Sequence, residues 1–317
     1  MNTEPWELIV PEVNTTSEFY EIVNDFGSPL ELIREAISNA IDWKATFIKI
    51  EFFVETIDGA RRLTVTLEDD GVGMTESVIK KAFWGLGYSE SRTLKVSGDK
   101  SLIGEKGHGT KIYLRSEKVI VKTQSNDGTF ESICENPLRL LSNGSIHQPQ
   151  IRGTDKIFND RSTGTIIKII GYNDNERSDF IQDVARDYTQ WFTKHGSVEK
   201  IFGHHKNENF KVYLKCIGED IYEPIPFGHP FPAEDHDINI LFKEKEFDAA
   251  DFYVRRFIYK DQKLKHAPEV SFDLVISVEG DQVKRAYNPM IRDRMRTDTG
   301  RYKVSDRYGL YICKDYI

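Results

Sequence analysis

Three short polar motifs follow one another in the N-terminal part of the chain, and two of them are rich in glycine. They are Glu35-xxx-Asn39-Ala40, Asp70-Gly71-Val72-Gly73-Met74 and Gly104-Glu105-Lys106-Gly107-His108-Gly109-Thr110. Glycine permits close approach of the backbone to a neighbour or ligand. A fold that uses all three motifs together must bring a helix, a strand end and a glycine-rich segment to one place.

Composition predicts a globular chain of about two domains, because 317 residues that are 39% hydrophobic and 30% charged can bury more than one core. The N-terminus lacks a basic leader, and no apolar run approaches the ~18 residues that span a bilayer. Cys134, Cys216 and Cys313 are odd in number and far apart, which favours free thiols over disulfides or a zinc site. We therefore expect a cytoplasmic protein with no membrane contact and no structural metal.

Charge gives little support to broad nucleic-acid binding, because the net charge is −8. Basic residues do outnumber acidic ones between Lys284 and Arg307. A solvated or interdomain charged loop is the favoured interpretation of that stretch, ahead of a DNA groove.

A rise in proline and glycine from Pro224 to Pro232 predicts a linker between two domains. The predicted division is 1–218 for the first domain and 219–317 for a smaller, incomplete second one. The chain ends directly after a strand-like run, Leu310 to Cys313, which is typical of a fragment of a longer protein.

Local patterns predict an α+β sandwich with a mixed sheet. Ser28-Pro29-Leu30-Glu31 is a capping box that should start a helix running to about Lys44, with Glu35, Asn39 and Asp42 opposite its apolar side. A helix is also expected over 75–84 and a lid over Gly85–Ile103. Strands are expected at 47–54, 63–67, 118–124, 128–134 and 164–170, the first two joined by an Asp58-Gly59 turn.

Glu35 and Asn39 lie four residues apart and can therefore reach one ligand from adjacent helical turns. A carboxylate there can activate a water, and an amide oxygen can complete an octahedral Mg²⁺ shell shared with phosphates. Any solvated helix face shows polar pairs at this spacing, so the pair alone is weak evidence.

Asp70 and the glycines after it suit recognition of a flat base, because a carboxylate accepts a hydrogen bond from an exocyclic amine such as that of adenine. A simple turn after a strand is at least as probable for this motif in isolation. The segment from Gly104 to Lys111 lacks the G-K-[ST] ending of a P-loop, yet its N–H groups can cradle phosphates, with Lys106 and Lys111 adding charge.

Taken in order, and joined by Gly164-Thr165, these motifs resemble the four nucleotide motifs of the GHKL ATPases, which share the Bergerat fold. That superfamily includes gyrase B subunits, mismatch-repair MutL proteins, ninety-kilodalton heat-shock chaperones, MORC proteins and histidine kinases. The resemblance covers about residues 28 to 170, and the stretches around Phe83–Ser89, Ile103–Lys111 and Thr163–Ile167 are most similar to the MORC branch.

The resemblance implies a role for each motif residue. Glu35 is similar to the catalytic base, Asn39 to the Mg²⁺ ligand, Asp70 to the adenine contact and Thr165 to the hydroxyl that supports it. Asp42 would add a second pocket contact, and Gly85–Ile103 would be the ATP lid. The remaining implied cofactor contacts are Gly73, Met74, Gly104, Lys106, Gly107, His108, Gly109, Thr110 and Lys111.

The resemblance also implies a second domain like ribosomal protein S5, a transducer whose basic residue reaches the terminal phosphate; Lys284, Arg285 and Arg292 are candidates. The function expected is Mg²⁺-dependent ATP binding and slow hydrolysis that gates homodimerisation as a molecular clamp. DNA maintenance, defence and chaperoning stay open, as does a DNA or protein partner bound through a missing C-terminal region. A non-hydrolysing ATP switch is the alternative, and a histidine kinase is disfavoured because a carboxylate occupies position 35.

Overall fold

The computed structural model describes residues 12–87, 108–231, 238–245, 249–281, 283, 291–292, 297–298 and 309–313. The predicted lid lies largely outside these ranges, and Gly104, Lys106 and Gly107 lie wholly outside them. The helices are α1 (Thr15–Asn24), α2 (Glu31–Asp42), α3 (Glu76–Val78), α4 (Pro137–Ser142), α5 (Gln182–Phe192), α6 (Ile238–Lys245) and α7 (Ala249–Phe252). A π-helical turn at Ile79–Phe83 extends α3, and the segment Gly109–Leu114 is 3₁₀-helical.

The strands are β1 (Phe47–Ile57), β2 (Ala60–Asp69), β3 (Lys118–Ser125), β4 (Gly128–Glu135), β5 (Gln150–Gly153), β6 (Gly164–Ile170), β7 (Lys211–Lys215), β8 (Glu223–Ile225), β9 (Val254–Leu264), β10 (Ala267–Glu279), β11 (Ile291–Arg292) and β12 (Thr297–Asp298). An eight-stranded sheet has the order β5-β4-β3-β6-β2-β1-β7-β8. Within it β1 and β7 are parallel, whereas the other neighbours are antiparallel. The predicted mixed-sheet α+β sandwich is thereby confirmed.

The turn between β1 and β2 sets the alternation of side chains across the sheet. Asp58 and Gly59 both have positive φ, 48° and 77°, as a two-residue hairpin turn requires. The register that follows puts Leu63, Val65 and Leu67 of β2 on the buried face. Period-two alternation then places Asp69, the last residue of β2, on that same face.

The helices described here that pack on the sheet cover this buried face. Helix α2 packs against β1 and against α5, and the 3₁₀ segment Gly109–Leu114 packs against α1 and α2. The opposite face carries ion pairs, among them Lys168–Glu55 at 2.9 Å and Lys215–Glu51 at 2.9 Å. The hydrophobic core lies on one face of the sheet, and charged side chains lie on the other. Helix α2, which packs on the core side, therefore lies next to the polar ends of the central strands.

The sheet continues beyond the predicted domain boundary at residue 218, because β8 pairs with β7. Farther along, β9 and β10 form a separate antiparallel hairpin. The Lys260 Nζ of that hairpin donates to the carbonyl of Phe202, 2.7 Å away. The division into an ATPase domain and a transducer-like domain stays a prediction.

In the part of the chain that the structure describes, no helix is both long enough and apolar enough to cross a bilayer.

Candidate functional site

Helix α2 begins with the capping box that the sequence predicts. The Ser28 amide donates to Glu31 Oε1 at 3.0 Å, and the Leu30 amide donates to Ser28 Oγ at 3.3 Å. These bonds satisfy N–H groups that a helix start leaves open. They fix where α2 begins and therefore the direction in which Glu35 and Asn39, one and two turns further on, project.

Glu35 lies directly against the glycine-rich segment. Its side chain is 21% exposed, and its Oε1 accepts hydrogen bonds from Arg34 at 3.0 and 3.2 Å. A β-carbon on Gly109 would lie 2.0 Å from Glu35 Oε2. A side chain at position 109 would displace the Glu35 carboxylate, so Gly109 lets the segment approach it in this position.

Burial raises the pKa of Glu35 above its ordinary value, and the Arg34 guanidinium opposes that rise. A carboxylate whose pKa is moved towards neutrality is a better proton acceptor at physiological pH, provided it stays ionised. The environment of Glu35 therefore suits a general base.

Asn39, one turn after Glu35, hydrogen-bonds to the hydroxyl of Tyr113. Tyr113 belongs to the 3₁₀ segment and is 1% exposed. Burial raises its pKa above the usual range, the charge of Glu35 adds to that rise, the Asn39 hydrogen bond lowers the pKa, and the charge of Asp69 raises it again. The phenol thus lies among Glu35, Asn39 and Asp69.

Asp69 and Asp70 are adjacent in the chain but occupy different environments. Asp70 Oδ1 accepts from the amides of Thr46 and Phe47, at 2.7 and 3.0 Å, and Asp70 Oδ2 accepts from the Thr46 hydroxyl at 2.5 Å. Its carboxylate therefore ties the start of β1 to the end of β2. Those three bonds already engage both of its oxygens, and the prediction of Asp70 as the base contact stays a prediction.

Asp69 is the carboxylate on the buried face. It accepts one hydrogen bond from the Gly71 amide at 2.9 Å. Burial raises its pKa to about 6, the Gly71 bond lowers it, and the neighbouring Asp70 raises it again. A half-buried carboxylate that accepts a hydrogen bond from the Gly71 amide can accept a further hydrogen bond from a ligand.

Two threonine hydroxyls extend this polar patch across neighbouring strands. Thr165 of β6 is paired with Asp69 in register, and Thr123 of β3 is paired with Thr165. Their hydroxyls lie 3.0 Å apart, and Thr123 Oγ1 also accepts from the Met74 amide at 2.8 Å. The three side chains form a polar row at the end of an otherwise apolar sheet face.

Gly73 closes the turn after β2 against β3. Its φ is +72°, and a β-carbon there would lie 2.1 Å from the carbonyl oxygen of Gln124. Any larger residue would push the turn away from β3. Gly73 therefore keeps Met74 within reach of Thr123.

Lys111 faces the interior instead of the expected phosphate site. Its Nζ donates to the carbonyls of Ala82 and Phe83, at 3.0 and 2.7 Å, and to Thr110 Oγ1 at 2.9 Å. Thr110 Oγ1 in turn donates to the Phe83 carbonyl at 3.1 Å. Burial lowers the pKa of Lys111 to about 7. Both residues thereby attach the glycine-rich segment to the π-helical turn that precedes the predicted lid.

The remaining predicted contacts flank this centre. His108 precedes the 3₁₀ segment, and its carbonyl accepts from the Lys111 amide. Asp42 is buried at 7% exposure in the last turn of α2.

Glu35, Asn39, Gly109 and Thr165 surround one region, to which the structure adds Asp69, Tyr113 and Thr123, residues that sequence reasoning missed. Strand alternation was the signal for Asp69 and Thr123; no sequence signal pointed to Tyr113.

The oxygen donors present suit Mg²⁺ held mainly by phosphates and water. Among the described residues no group of three or more His, Cys, Asp or Glu side chains could hold a metal. Mg²⁺ keeps several waters and takes one or two protein oxygens beside substrate phosphates. The Asn39 amide oxygen, one turn from Glu35, fits that role.

A match to known proteins agrees with this geometry. Residues 28–135 match the family model described as histidine kinase-, DNA gyrase B- and HSP90-like ATPase. The match begins at the α2 cap and includes the β1–β2 hairpin, the turn after Asp69, the glycine-rich segment and strands β3 and β4. Over these residues the chain is therefore similar to the histidine kinase-, DNA gyrase B- and HSP90-like ATPases.

Proposed function

We propose that this protein binds ATP with Mg²⁺ and hydrolyses it slowly, with Glu35 as the general base and Asp69 as the adenine contact. The observation that carries the proposal is the Glu35 carboxylate, whose pKa is raised and which lies against Gly109 of the glycine-rich segment. The similarity of residues 28–135 to that ATPase family supports ATP use in general.

Base recognition is assigned to the polar row. The exocyclic amine of adenine would donate to Asp69, and a charge-assisted bond of this kind contributes roughly 1.5–3 kcal/mol. The Thr165 and Thr123 hydroxyls form the rest of that row, beside Asp69. Guanine presents a carbonyl where adenine presents the amine, so the same carboxylate disfavours it.

Hydrolysis is assigned to Glu35. Bound Mg²⁺ would neutralise phosphate charge, and Asn39 is its proposed protein ligand. Glu35 orients a water and accepts its proton, while Arg34 engages Glu35 Oε1 and leaves Oε2 on the side of Gly109. General-base assistance of this kind contributes about 10²–10⁴ in rate.

Phosphate release by wild type and Glu35→Gln tests the catalytic assignment, with ATP binding measured in parallel. We expect Glu35→Gln to bind ATP and to release phosphate about 100-fold more slowly. Glu76→Gln is the control, because Glu76 is an exposed partner of Lys80. Turnover at the wild-type rate in Glu35→Gln contradicts the assignment. Binding without turnover in wild type supports the alternative, a non-hydrolysing ATP switch.

The clamp belongs to the same proposal and rests on the resemblance to GHKL proteins that dimerise. We infer ATP-gated homodimerisation of a cytoplasmic protein acting in DNA maintenance or defence, with DNA or a protein as its client. Molar mass from light scattering, with and without a non-hydrolysable ATP analogue, tests the dimer. A monomer in both conditions contradicts it.

A further inference from the structure

Thr123 is a buried residue at the end of β3 whose part in the polar row is indirect. It is 0% exposed, whereas Thr165 beside it is 6% exposed. Thr123 therefore cannot touch a bound nucleotide, and any effect that it has on base recognition must pass through a neighbour. A valine has nearly the same branched shape and suits a strand equally well, so packing leaves the Thr123 hydroxyl to be explained.

Three groups surround the Thr123 hydroxyl. The Met74 amide nitrogen lies 2.8 Å from Thr123 Oγ1. The hydroxyl of Thr165 lies 3.0 Å from it, and the carbonyl oxygen of Gly164 lies 3.2 Å from it. An amide N–H can only donate and a carbonyl can only accept, whereas a hydroxyl can do either. The direction of the bond between the two threonines therefore depends on the other two bonds.

The number of protons decides this direction. A hydroxyl has one proton to donate and two lone pairs that accept. The Gly164 carbonyl takes the proton of Thr123, and the Met74 amide takes one of its lone pairs. All three bonds form together only if Thr165 donates to the lone pair that remains. Buried polar groups seldom leave a bond unmade, so the Thr165 proton points at Thr123 and the lone pairs of Thr165 Oγ1 are left for a ligand.

Thr165 and Asp69 then present the same chemistry side by side. The two residues are paired in register across β6 and β2, and cross-strand partners share one face of a sheet. An ionised carboxylate only accepts hydrogen bonds. These two side chains together therefore suit an amine that carries two hydrogens, and they oppose a carbonyl. Adenine has such an amine at the position where guanine has a carbonyl.

We propose that Thr123 is a positioning residue that sets the preference for adenine over guanine, because it takes up the Thr165 proton and so makes Thr165 an acceptor. The proposal rests on the proposed function, in which Asp69 and the row beside it recognise the base. Thr123 itself contacts no nucleotide. Without the Thr123 hydroxyl, Thr165 can rotate and donate its proton to the carbonyl of guanine.

Thr123→Val tests this role, with Thr123→Ser and Thr64→Val as controls. Serine keeps the hydroxyl and should keep the wild-type preference. Thr64 is also 0% exposed, and its hydroxyl donates to Glu55 Oε1 at 2.7 Å, outside the polar row. Both valine variants lose a buried hydroxyl and should lose some thermal stability, but only Thr123→Val should change the base preference. If Thr123→Val does not fold, Thr123→Cys replaces it, because a thiol is similar in shape and accepts only weakly.

The measurement is displacement of a fluorescent ATP analogue by ATP and by GTP, with Mg²⁺ present. We expect the ratio of ATP affinity to GTP affinity to fall about 10-fold in Thr123→Val, the effect of about one hydrogen bond, and to stay at the wild-type value in both controls. A wild-type ratio in Thr123→Val overturns the inference and leaves the proposed function intact. An equal fall in Thr64→Val overturns it because lost stability would be the cause, and an equal fall in Thr123→Ser overturns it because the hydroxyl would not be what matters.

Thr165→Val separates the two threonines. Its affinity ratio should also fall, and adding Thr123→Val should cause no further fall, because Thr123 acts only through Thr165. A further fall in the double variant overturns the inference, since an effect through the Met74 amide would add to the first. If wild type does not bind the fluorescent analogue, or shows no preference for ATP over GTP, the proposed function itself fails.

Discussion

Oε2 of Glu35 occupies the space that a β-carbon on Gly109 would enter, at a separation of 2.0 Å. Helix α2 and the glycine-rich segment are therefore in contact through a carboxylate and a bare backbone carbon. A side chain at position 109 would move this carboxylate, so the glycine sets the position of the proposed base.

Gly109→Ala should displace Glu35 and slow phosphate release by about 100-fold, because a shift of about 1 Å in a catalytic group can have that effect. Overpacking should also lower the free energy of unfolding by ~1–3 kcal/mol. Gly153→Ala is the control, since a β-carbon there meets no atom within 4 Å. Wild-type turnover in Gly109→Ala would show that the contact with Glu35 is dispensable.

Asp69→Asn and Asp70→Asn should have different effects although the residues are adjacent. Asp69→Asn should weaken ATP binding by at least about 10-fold, through loss of a charge-assisted bond. Asp70→Asn should lower the melting temperature, because Asp70 accepts hydrogen bonds from Thr46 and Phe47. Its ATP affinity should be nearly unchanged when binding is measured well below the melting temperature of the variant. Calorimetric titration with ATP distinguishes the two variants. Weaker ATP binding in Asp70→Asn, with unchanged binding in Asp69→Asn, would identify Asp70 as the base contact.

Asp69 should also make stability depend on pH. Burial raises its pKa from the ordinary value of 3.8 to about 6 in the folded chain, so the folded state binds more protons between these values. Stability should therefore fall as pH rises through this window, while ATP affinity rises as Asp69 ionises. Denaturant unfolding at several pH values, compared with Asp69→Asn, measures the effect. An identical pH slope in the variant would remove Asp69 as its source.

Lys111→Met should act mainly on stability. The Lys111 amine donates to the Ala82 and Phe83 carbonyls, and loss of such buried bonds costs ~1–3 kcal/mol. Lys80→Met is the control, because Lys80 is 55% exposed. Unchanged stability together with much weaker ATP binding would indicate that Lys111 turns to the phosphates, as the sequence alone suggests.

Local sequence signals predicted most of the framework correctly. The capping box at Ser28, the Asp58-Gly59 turn and β-branched runs such as Gly164–Ile170 depend on neighbours in the chain, and the structure has all three. Sequence reasoning singled out Asp70 and not Asp69, because the Asp-Gly turn signal was weighed and the alternation from Leu63 to Asp69 was not. That alternation decides which carboxylate faces the helices.

Other features depend on contacts between distant segments and could not be predicted from the sequence. Lys111 meets the π-helical turn 28 residues earlier in the chain, and Tyr113 meets Asn39 of α2. Neither pairing has a local pattern. A lysine beside glycines therefore suggested phosphate binding, and nothing in the sequence singled out Tyr113.

The most direct test of the central claim is a crystal structure of the protein with Mg²⁺ and a non-hydrolysable ATP analogue. We expect the exocyclic amine of adenine within hydrogen-bond distance of the Asp69 carboxylate, and the Asn39 side-chain oxygen on the metal. A nucleotide whose base contacts Asp70 instead, or which binds away from α2 and the end of β2, would contradict the account.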